Sequence, residues 1–424
     1  MPRRTLRNSI LLDLLSLVVS VVVASLLAFG TPVPWSYRSD VWSLLAALGF
    51  GAVAGIYVAY RSEGSGVHRP SYGRAVSVIG MALSVTAISL VFSRAYWSRN
   101  FLLVATASWL ITALGHRAVR RRRPWTEPIA VITNEKVLID HLLDAPHARI
   151  VDVLDPSGLV PDQPLAMGTV LAVDLRAVLS DEMARFVSSC NLAGYPMRSL
   201  VSVYEEHTGR LAIVHLHEGW ELTVPLASRA PYVQTKRIID TGLVLLAAPV
   251  ALVLGLLIAL GIKLDSRGPV IYKQRRIGLE GQPFTLYKFR TMHTRHEMAG
   301  PRFAARRDGR ITRFGRFLRK VRVDELPQLW NVLRGDLSLV VPRPEQAPFV
   351  ETFGETIPFY THRHLVRPGI TGWAQVNFGY ADSEADTIEK LSYDLYYVKH
   401  LSPWMDLEVL GRSVWTVISG FGAR

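Results

Sequence analysis

The sequence contains a single cysteine, Cys190, among 424 residues. One cysteine excludes a disulfide within the chain and any metal cluster held by several cysteines. The water-exposed parts of the chain are therefore expected in a reducing compartment. Because cysteine is among the most frequently buried residue types, we interpret Cys190 as a small core residue.

Acidic residues are also few, since 35 Asp and Glu stand against 48 Lys and Arg, a formal net charge of +13. This excess suits anionic lipid, phosphorylated substrates or nucleic acid, and the charge alone does not choose among them. Apolar residues make up 49% of the chain and charged residues 20%, which favours a membrane portion joined to a water-exposed portion. The length predicts two or three structural units.

Four apolar stretches, at residues 10–29, 41–60, 75–92 and 101–119, each match the length of a helix that crosses a bilayer. We predict a four-helix transmembrane bundle in an N-terminal domain, residues 1–123. Arginines mark its orientation. They precede the first stretch (Arg3, Arg4, Arg7), separate the second and third (Arg61, Arg69, Arg74) and follow the fourth (Arg117, Arg120, Arg121, Arg122, Arg123), whereas the other loops carry only Arg38, Arg94 and Arg99. The positive-inside rule then places the N-terminus and the chain after residue 123 in the cytoplasm.

Short β-branched runs alternate with helix-like stretches between residues 124 and 230, which predicts a small α/β domain. The turn after its first strand, Thr133-Asn134-Glu135-Lys136, lacks the glycines that let a dinucleotide phosphate approach the backbone. We therefore predict a Rossmann-like domain without a cofactor, with dimerisation or regulation as its role. His215 and His217, two residues apart, would lie on one face of a strand. Because no clear third metal ligand accompanies them, we interpret His207, His215 and His217 as histidines of a surface strand.

A fifth apolar stretch, residues 238–262, is long enough to span a membrane and has basic residues on both sides. The positive-inside rule therefore gives no reason to place either end of this stretch outside the cytoplasm. We predict a re-entrant helix over about residues 236–264. Pro249, which lacks a backbone N–H, is the predicted break. A straight spanning helix with an internal proline is the alternative.

Seven short motifs follow in the third predicted domain, residues 231–424. They are Lys236-Arg237-Ile238-Ile239-Asp240, Gly268-Pro269-Val270, Gln274-Arg275-Arg276-Ile277-Gly278, Tyr287-Lys288-Phe289-Arg290-Thr291-Met292, Asp324-Glu325-Leu326-Pro327-Gln328, Pro342-Arg343-Pro344-Glu345 and Pro368-Gly369-Ile370-Thr371-Gly372-Trp373. In this order and at these spacings, they resemble the bacterial sugar transferase family, the monotopic phosphoglycosyl transferases. The apolar stretches and the α/β domain before them resemble the large members of that family.

Asp324 and Glu325 precede apolar residues at helical spacing over residues 326–333, with Pro327 in the predicted first turn. Asp324 can be a simple N-cap, but adjacent carboxylates among many arginines suit phosphate chemistry better. Two such carboxylates can hold Mg²⁺ together with substrate phosphates, and a carboxylate can also attack phosphorus.

The resemblance implies a reaction in two steps. It implies that Asp324 takes a hexose 1-phosphate from a UDP-hexose, releases UMP, and passes the phosphosugar to undecaprenyl phosphate at the cytoplasmic face of the inner membrane. This is the first membrane step of exopolysaccharide, capsule or O-antigen synthesis. It further implies Mg²⁺ as cofactor, Glu325 as metal ligand or acid/base group, and a mainly α-helical monotopic catalytic domain. Predicted substrate-binding residues are Lys288, Arg290, Arg275, Arg343 with the flanking Pro342 and Pro344, and Lys236 and Arg237.

Arginines recur every three residues from Arg310 to Arg319, interleaved with Phe314, Phe317 and Leu318. We interpret this segment, which continues a basic run from Arg302 through Arg306 and Arg307, as a surface against anionic membrane lipid, and we expect no nucleic-acid partner. A last helix from Trp404 to Ile418 is either interfacial or part of the core. A homodimer through the membrane or middle domain stays open.

Two positions depart from the family pattern. Pro249 is preceded by Ala248 rather than serine and lies about one turn closer to Asp240 than usual, so Gly255 can share the break. Val341 stands where glycine commonly precedes Pro-Arg-Pro. The rival functions are a polytopic glycosyltransferase that releases a nucleoside diphosphate and a catalytically silent membrane scaffold for polysaccharide assembly.

Overall fold

The computed structural model describes residues 2–36, 41–61, 72–93, 98–121, 126–161, 163–216, 230–293, 309–378 and 383–419. Over these residues the fold is mostly helical, with a four-stranded sheet and two two-stranded sheets. The chain divides into two compact units, Met1–Thr208 and Gly209–Arg424. Several residues of the predictions lie outside the described residues, namely Arg38, Arg69, Arg94, Arg122, Arg123, His217, Arg302, Arg306 and Arg307.

Four long helices begin the first unit: α1 (Pro2–Phe29), α2 (Val41–Arg61), α3 (Tyr72–Ser93) and α4 (Arg99–Arg121). Each contains a segment long and apolar enough to cross a membrane: Asn8–Phe29, Val41–Tyr60, Tyr72–Phe92 and Arg99–Arg120. The four apolar stretches predicted from the sequence fall inside these segments, so their prediction as membrane-length helices is confirmed.

Close backbone contact joins α2 to α3. A Cβ atom added at Gly51 would lie 2.6 Å from the Cα of Ala82, and one at Gly55 would lie 2.8 Å from the Cα of Val78. Glycines four residues apart leave this space on one helix face, which lets two apolar helices pack by dispersion where the hydrophobic effect is weak. Helix α1 packs against α4.

A buried ion pair links α1 to α4. The guanidinium of Arg117 donates to the Asp13 carboxylate at 2.6 and 2.7 Å, and the Tyr60 hydroxyl of α2 donates to the same carboxylate at 2.9 Å. Arg117 is 1% exposed. The grouping of Arg117 with the loop arginines is therefore wrong, because the side chain points into the helices and its charge is neutralised there.

A parallel sheet follows in the first unit, with strand order β2-β1-β3-β4. Its strands are β1 (Glu127–Ile132), β2 (Ala148–Leu154), β3 (Val170–Val173) and β4 (Met197–Ser199), and its helices are α5 (Lys136–Leu143), α6 (Asp181–Leu192) and α7 (Leu200–Thr208). Cys190 lies in the core beside Met183 and Leu171, which confirms its predicted role. Alternation of strands and helices thus produces the expected parallel α/β sheet.

The prediction of a surface strand is wrong for His207 and His215. His207 lies in α7, is 8% exposed, and contacts Glu127 Oε2 at 2.8 Å. His215 ends a 3-10 turn, Ile213–His215, rather than a strand. Apolar side chains explain the turn, because Leu211, Ile213 and Leu216 pack with Ile357 and Leu395 of the second unit, to which residues 209–216 belong.

The first long helix of the second unit is the 36-residue α8 (Ala230–Asp265). The antiparallel pair β5 (Ile271–Ile277) and β6 (Pro283–Phe289) follows, and then α9 (Arg313–Lys320) and α10 (Gln328–Arg334). The remaining elements are β7 (Ser338–Val340), α11 (Ala347–Thr356), β8 (Gly369–Thr371), α12 (Trp373–Asn377), α13 (Glu384–Lys399) and α14 (Pro403–Ser419). Strands β7 and β8 are parallel.

Helix α8 is the fifth helix long and apolar enough to cross a membrane, over Tyr232–Asp265. Pro249 lies inside α8 without ending the helix. A proline removes one hydrogen bond and can bend a helix while the turns on either side persist, so the re-entrant break at Pro249 stays a prediction.

Helix α14 supports the core alternative for its first half. Met405 and Val409 are buried in the cluster that includes Trp373 and Tyr397, whereas Leu407 is exposed. The side chains of Val414, Trp415 and Ile418 lie outside the described part of the structure. One face of the helix is therefore core, as its apolar spacing allows.

We expect Arg117→Met to lower the free energy of unfolding by about 3–5 kcal/mol, because it leaves the Asp13 carboxylate buried without its cation. Thermal unfolding in detergent, followed by tryptophan fluorescence, measures the loss. The double variant Asp13→Asn/Arg117→Met removes both charges and should recover most of it. Equal losses in the single and double variants would contradict this account of the ion pair.

Candidate active site

Asp324 and Glu325 lie in one 3-10 turn, Val323–Glu325, between α9 and α10. Arg322 before the turn adopts a left-handed backbone conformation, with φ of 56°. Pro327 caps the start of α10, where its missing N–H costs no hydrogen bond. The prediction that the two carboxylates immediately precede a helix is therefore confirmed.

Glu325 is held by two cations. Lys288 Nζ of β6 donates to Glu325 Oε1 at 3.2 Å, and the Arg343 guanidinium donates to the same oxygen. Burial by itself would raise the pKa of Glu325, but the charges of Arg343 and Lys288 outweigh it and lower the pKa to about 2. Glu325 is thus a fixed anion at neutral pH.

Asp324 has a different environment. Among the described residues, no hydrogen bond or ion pair to its carboxylate is found, and the side chain is half-buried. Burial raises the pKa of Asp324, and the neighbouring charge of Glu325 raises it further, although Lys288, Arg343 and Arg319 act in the opposite direction. Asp324 therefore keeps both carboxylate oxygens available for a ligand, whereas Oε1 of Glu325 is already engaged by Lys288 and Arg343.

Lys288 is positioned by a buried amide. Asn331 on α10 is fully buried; its oxygen accepts from Tyr287 N at 3.1 Å, and its nitrogen donates to Thr285 O at 2.7 Å. The same nitrogen lies 3.1 Å from Asp336 Oδ2. These hydrogen bonds fasten β6 to the helix that follows Asp324 and Glu325, which brings Lys288 to Glu325.

Arg343 is positioned by close contact between two chain segments. Val341 N donates to Thr371 O at 2.8 Å, and Gly369 N donates to Pro342 O at 2.9 Å. A Cβ atom at Gly369 or Gly372 would collide with the Val341 backbone. The Pro-Gly-Ile-Thr-Gly-Trp motif thus supports the Pro-Arg-Pro loop, and its glycines permit the approach.

The structure does not bring every predicted binding residue to this cluster. Arg290 is 3% exposed and donates to Ser266 O at 2.7 Å, just beyond the end of α8. Two other donors of Arg290, Nε and one terminal nitrogen, have no hydrogen-bond partner in the described residues. Arg275 is exposed on β5. Its role as a substrate contact stays a prediction.

Lys236 and Arg237 connect α8 to the rest of the second unit. Lys236 Nζ is 2.6 Å from Asp406 Oδ2 and 3.4 Å from Asp240 Oδ2, and Arg237 donates to the carbonyl oxygens of Val332 and Leu333. These partners lie at the start of α8, at the end of α10 and on α14. The contacts indicate anchoring of α8 and give no support to the predicted binding of substrate.

Arg276 is a neighbour of the site that the sequence did not single out. It donates to Pro344 O at 3.1 Å and lies 3.6 Å from the Glu345 carboxylate. Side chains alternate along a strand, so Arg275 and Arg276 face opposite sides of β5. On β5, Lys273 and Arg275 are exposed, whereas Gln274 and Arg276 are less exposed.

The carboxylate pair fits a magnesium ion shared with substrate. In the described residues, no group of three or more His, Cys, Asp or Glu side chains forms a metal site. Lys288 and Arg343 each bind Glu325 through Oε1, so Oε2 and the Asp324 oxygens can serve as ligands. Mg²⁺ commonly takes one or two carboxylates together with substrate phosphates and water, which matches this donor set.

Comparison with known proteins points to one family. The family model described as "Bacterial sugar transferase" matches residues 231–420. The whole chain is similar to a UDP-N-acetylgalactosamine-undecaprenyl-phosphate N-acetylgalactosaminephosphotransferase of Aeromonas hydrophila, at 35% identity over 418 residues, or 95% of each chain.

Two further relatives match over shorter regions and share one description, UDP-glucose:undecaprenyl-phosphate glucose-1-phosphate transferase. The relative from Xanthomonas campestris pv. campestris is 40% identical over 216 residues, or 50% of this chain and 43% of that one. The relative from Escherichia coli (strain K12) is 41% identical over 188 residues, or 43% of this chain and 39% of that one.

We expect Asn331→Leu to lower the free energy of unfolding by roughly 1–3 kcal/mol or more, because the Tyr287 N–H and the Thr285 carbonyl lose their partner. Chemical or thermal unfolding in detergent measures this change. Gln282→Leu, which removes an exposed amide in the turn between β5 and β6, should change stability by no more than about 0.5 kcal/mol. Similar losses in both variants would contradict a specific role for Asn331.

Proposed function

The chain belongs to the bacterial sugar transferase family, and from this premise we propose that it transfers a sugar 1-phosphate from a UDP-sugar to undecaprenyl phosphate. UMP and an undecaprenyl-diphosphate sugar are the products. One observation carries the proposal: of two adjacent carboxylates, Glu325 is clamped by Lys288 and Arg343 while Asp324 has no such partner in the described residues.

Asp324 is the proposed nucleophile. A carboxylate oxygen of Asp324 attacks the β-phosphorus of the UDP-sugar, and the bond from this phosphorus to the oxygen bridging to the α-phosphorus breaks, so that UMP leaves. A phosphate oxygen of undecaprenyl phosphate then attacks the phosphorus held by Asp324. The bond from Asp324 to phosphorus breaks, which regenerates the carboxylate and completes the lipid-linked diphosphate sugar.

Cations supply the electrostatic part of this chemistry. The transferred group and the leaving group are both anionic, and fixed positive charges stabilise the negative charge that develops on phosphate oxygens. Lys288 and Arg343 are already fixed beside the carboxylates by their contacts with Glu325. Arg290 has two buried donors free of partners among the described residues and is a third candidate for a phosphate contact.

We include Mg²⁺ in the proposal because the carboxylate pair offers ligands for it. Asp324 and Oε2 of Glu325 are the groups that would hold it. The bound ion would neutralise charge on the diphosphate of the donor and favour departure of UMP. Glu325 is then a ligand and a charge partner rather than a proton donor, because its pKa of about 2 keeps it ionised at neutral pH.

The membrane arrangement is proposed from packing along α8. Val244 packs with Leu286 and Val332, and on the far side of Pro249, Ile258 and Ile262 pack with Phe289 and Leu318. Both halves of α8 thus contact one folded unit, which favours a re-entrant helix over one whose ends lie on opposite sides of a membrane.

Two surface features agree with that arrangement. The side chains of Pro249, Val250, Val253, Leu254 and Leu257 line a concave apolar surface of α8, as expected for a helix bent at proline. Helix α9 exposes Arg313, Arg316 and Lys320 beside Phe317 and buries Leu318. A basic helix face with an exposed aromatic ring suits anionic lipid headgroups at the cytoplasmic face of the inner membrane.

Three parts make up the proposed architecture. They are a four-helix transmembrane bundle (1–123), a Rossmann-like domain without a cofactor (124–230) and a monotopic catalytic domain (231–424). The strand order β2-β1-β3-β4 in a parallel sheet supports the second part. Residues 209–216 are an exception, because they pack with the catalytic part.

The relatives carry different sugars in their names, N-acetylgalactosamine in one and glucose in two. The first relative matches along nearly the whole chain, so UDP-N-acetylgalactosamine leads the panel of donors to test. UDP-N-acetylglucosamine, UDP-glucose and UDP-galactose complete it. Discrimination among these sugars depends on a few contacts to the hydroxyl and acetamido groups.

We expect Asp324→Asn to abolish UMP release from protein supplied with Mg²⁺, undecaprenyl phosphate and the UDP-sugar panel, because an amide is a poor nucleophile. Coupled detection of UMP and UDP measures the product, and mass spectrometry detects the phosphosugar on Asp324. Glu355→Gln, an exposed carboxylate on α11, is the control and should retain activity. UDP release would indicate a glycosyltransferase, and no nucleotide from any donor would favour a silent scaffold.

Activity should fall as the pH is lowered through the pKa of Asp324, which lies above its ordinary value of 3.8. Because Lys288 lowers the pKa of Asp324, Lys288→Met should move the acid side of the pH profile of kcat/KM to higher pH. Lys273→Met, an exposed lysine of β5, should leave the profile in place. An acid side that does not move in Lys288→Met would contradict Asp324 as the titrating group.

A further inference from the structure

A second group of charged side chains lies next to the loop that carries Arg343, and the proposed chemistry does not use it. Its members come from four segments of the second unit. They are Arg276 on β5, Glu345 in the loop itself, Arg363 in the 3-10 helix Tyr360–Leu365, and Lys390 and Asp394 on α13.

Arg363 is the most buried cation of this group, with its side chain 3% exposed. One terminal nitrogen donates to the backbone carbonyl of Arg343 at 2.9 Å and to Asp394 Oδ2 at 2.7 Å. The other donates to the Tyr360 hydroxyl at 3.0 Å. A planar guanidinium can satisfy these acceptors together, which a single ammonium group cannot do in the same geometry.

The neighbouring carbonyls of the loop are also held. Arg276 donates to Pro344 O at 3.1 Å, and Ile277 N donates to Glu345 O at 3.0 Å. Three consecutive carbonyls, those of Arg343, Pro344 and Glu345, therefore each accept a hydrogen bond from outside the loop. Lys390 Nζ holds the Glu345 carboxylate at 2.5 Å.

These contacts leave the Arg343 backbone little freedom. Proline fixes φ at positions 342 and 344, and a residue before proline is restricted as well. The hydrogen bond from Arg363 orients the peptide that follows Arg343. With the backbone held on both sides, the Arg343 side chain leaves the loop in one direction, toward Glu325.

We propose that Arg363, held by Asp394 and Tyr360, is a positioning residue of the active site that sets the direction of the Arg343 guanidinium. The inference rests on the proposed function, in which Arg343 contacts the diphosphate of the UDP-sugar. Arg363 itself touches the peptide of Arg343, so it acts through that residue.

A double-mutant cycle on kcat and KM for the UDP-sugar tests this role. Arg363→Lys keeps the charge but cannot reach all three acceptors, and it should lower kcat/KM by about 10- to 100-fold, since small misplacements of binding groups have such effects. The variant Arg343→Lys lacks the planar group that Arg363 is proposed to position. In that background, Arg363→Lys should lower kcat/KM by less than about 3-fold.

A purely structural role predicts a different result. Val376→Ala, in the core of the same unit and outside this hydrogen-bond network, serves as the control, and its effect should be equal in the Arg343 and Arg343→Lys backgrounds. Thermal unfolding of every variant accompanies the kinetics. Equal losses for Arg363→Lys in both backgrounds, or no loss in either, would overturn the inference.

Two provisions keep the test decisive. If Arg363→Lys does not fold, Asp394→Asn replaces it, because it keeps the shape of the side chain and removes the charge that holds Arg363. If the unaltered protein folds but releases no UMP, the proposed function fails. The double-mutant cycle is then measured on the affinity for UDP. Losses of affinity in Arg363→Lys and Arg343→Lys that do not add in the double variant support the inference, and additive losses overturn it.

Discussion

Two adjacent carboxylates in one turn repel each other, and the active site depends on how this repulsion is relieved. Lys288 and Arg343 both bind one oxygen of Glu325, which keeps the pKa of that side chain near 2. The two cations offset the charge of Glu325, so Asp324 can lie beside it with its own oxygens unengaged. Burial and the remaining field of Glu325 keep the pKa of Asp324 raised. Neighbouring acids commonly acquire different roles because their different environments move their pKa values apart.

That arrangement depends in turn on backbone contacts that leave no room for larger side chains. Gly369 and Gly372 lie against the Val341 backbone, and this contact positions the loop that bears Arg343. The Asn331 side chain supplies hydrogen-bond partners for Tyr287 N and Thr285 O of β6, and this fixes the strand segment that bears Lys288. Glycine and amide contacts between neighbouring segments thus fix the backbone at both cations before any substrate binds.

The same unit must also hold a membrane-length helix. Asp240 of α8 accepts from Ser338 Oγ at 2.5 Å and from Leu339 N at 3.2 Å, two residues of β7, the strand that leads to Arg343. Arg237 binds the last carbonyls of α10, the helix that follows Asp324 and Glu325. Polar side chains at the start of α8 therefore join the membrane helix to the elements that carry both halves of the active site.

Apolar run lengths, strand and helix alternation, and the order of short motifs were enough to predict five membrane-length helices, the parallel sheet, the family and the carboxylate pair before a helix. These features depend on neighbours in the chain. Burial of Arg117 against Asp13, the choice of Arg276 over Arg275, the turn at His215 and the course of α8 through Pro249 were decided only in the folded chain. Each depends on a partner dozens of residues away or on the packing of adjacent turns, and local spacing carries no record of either.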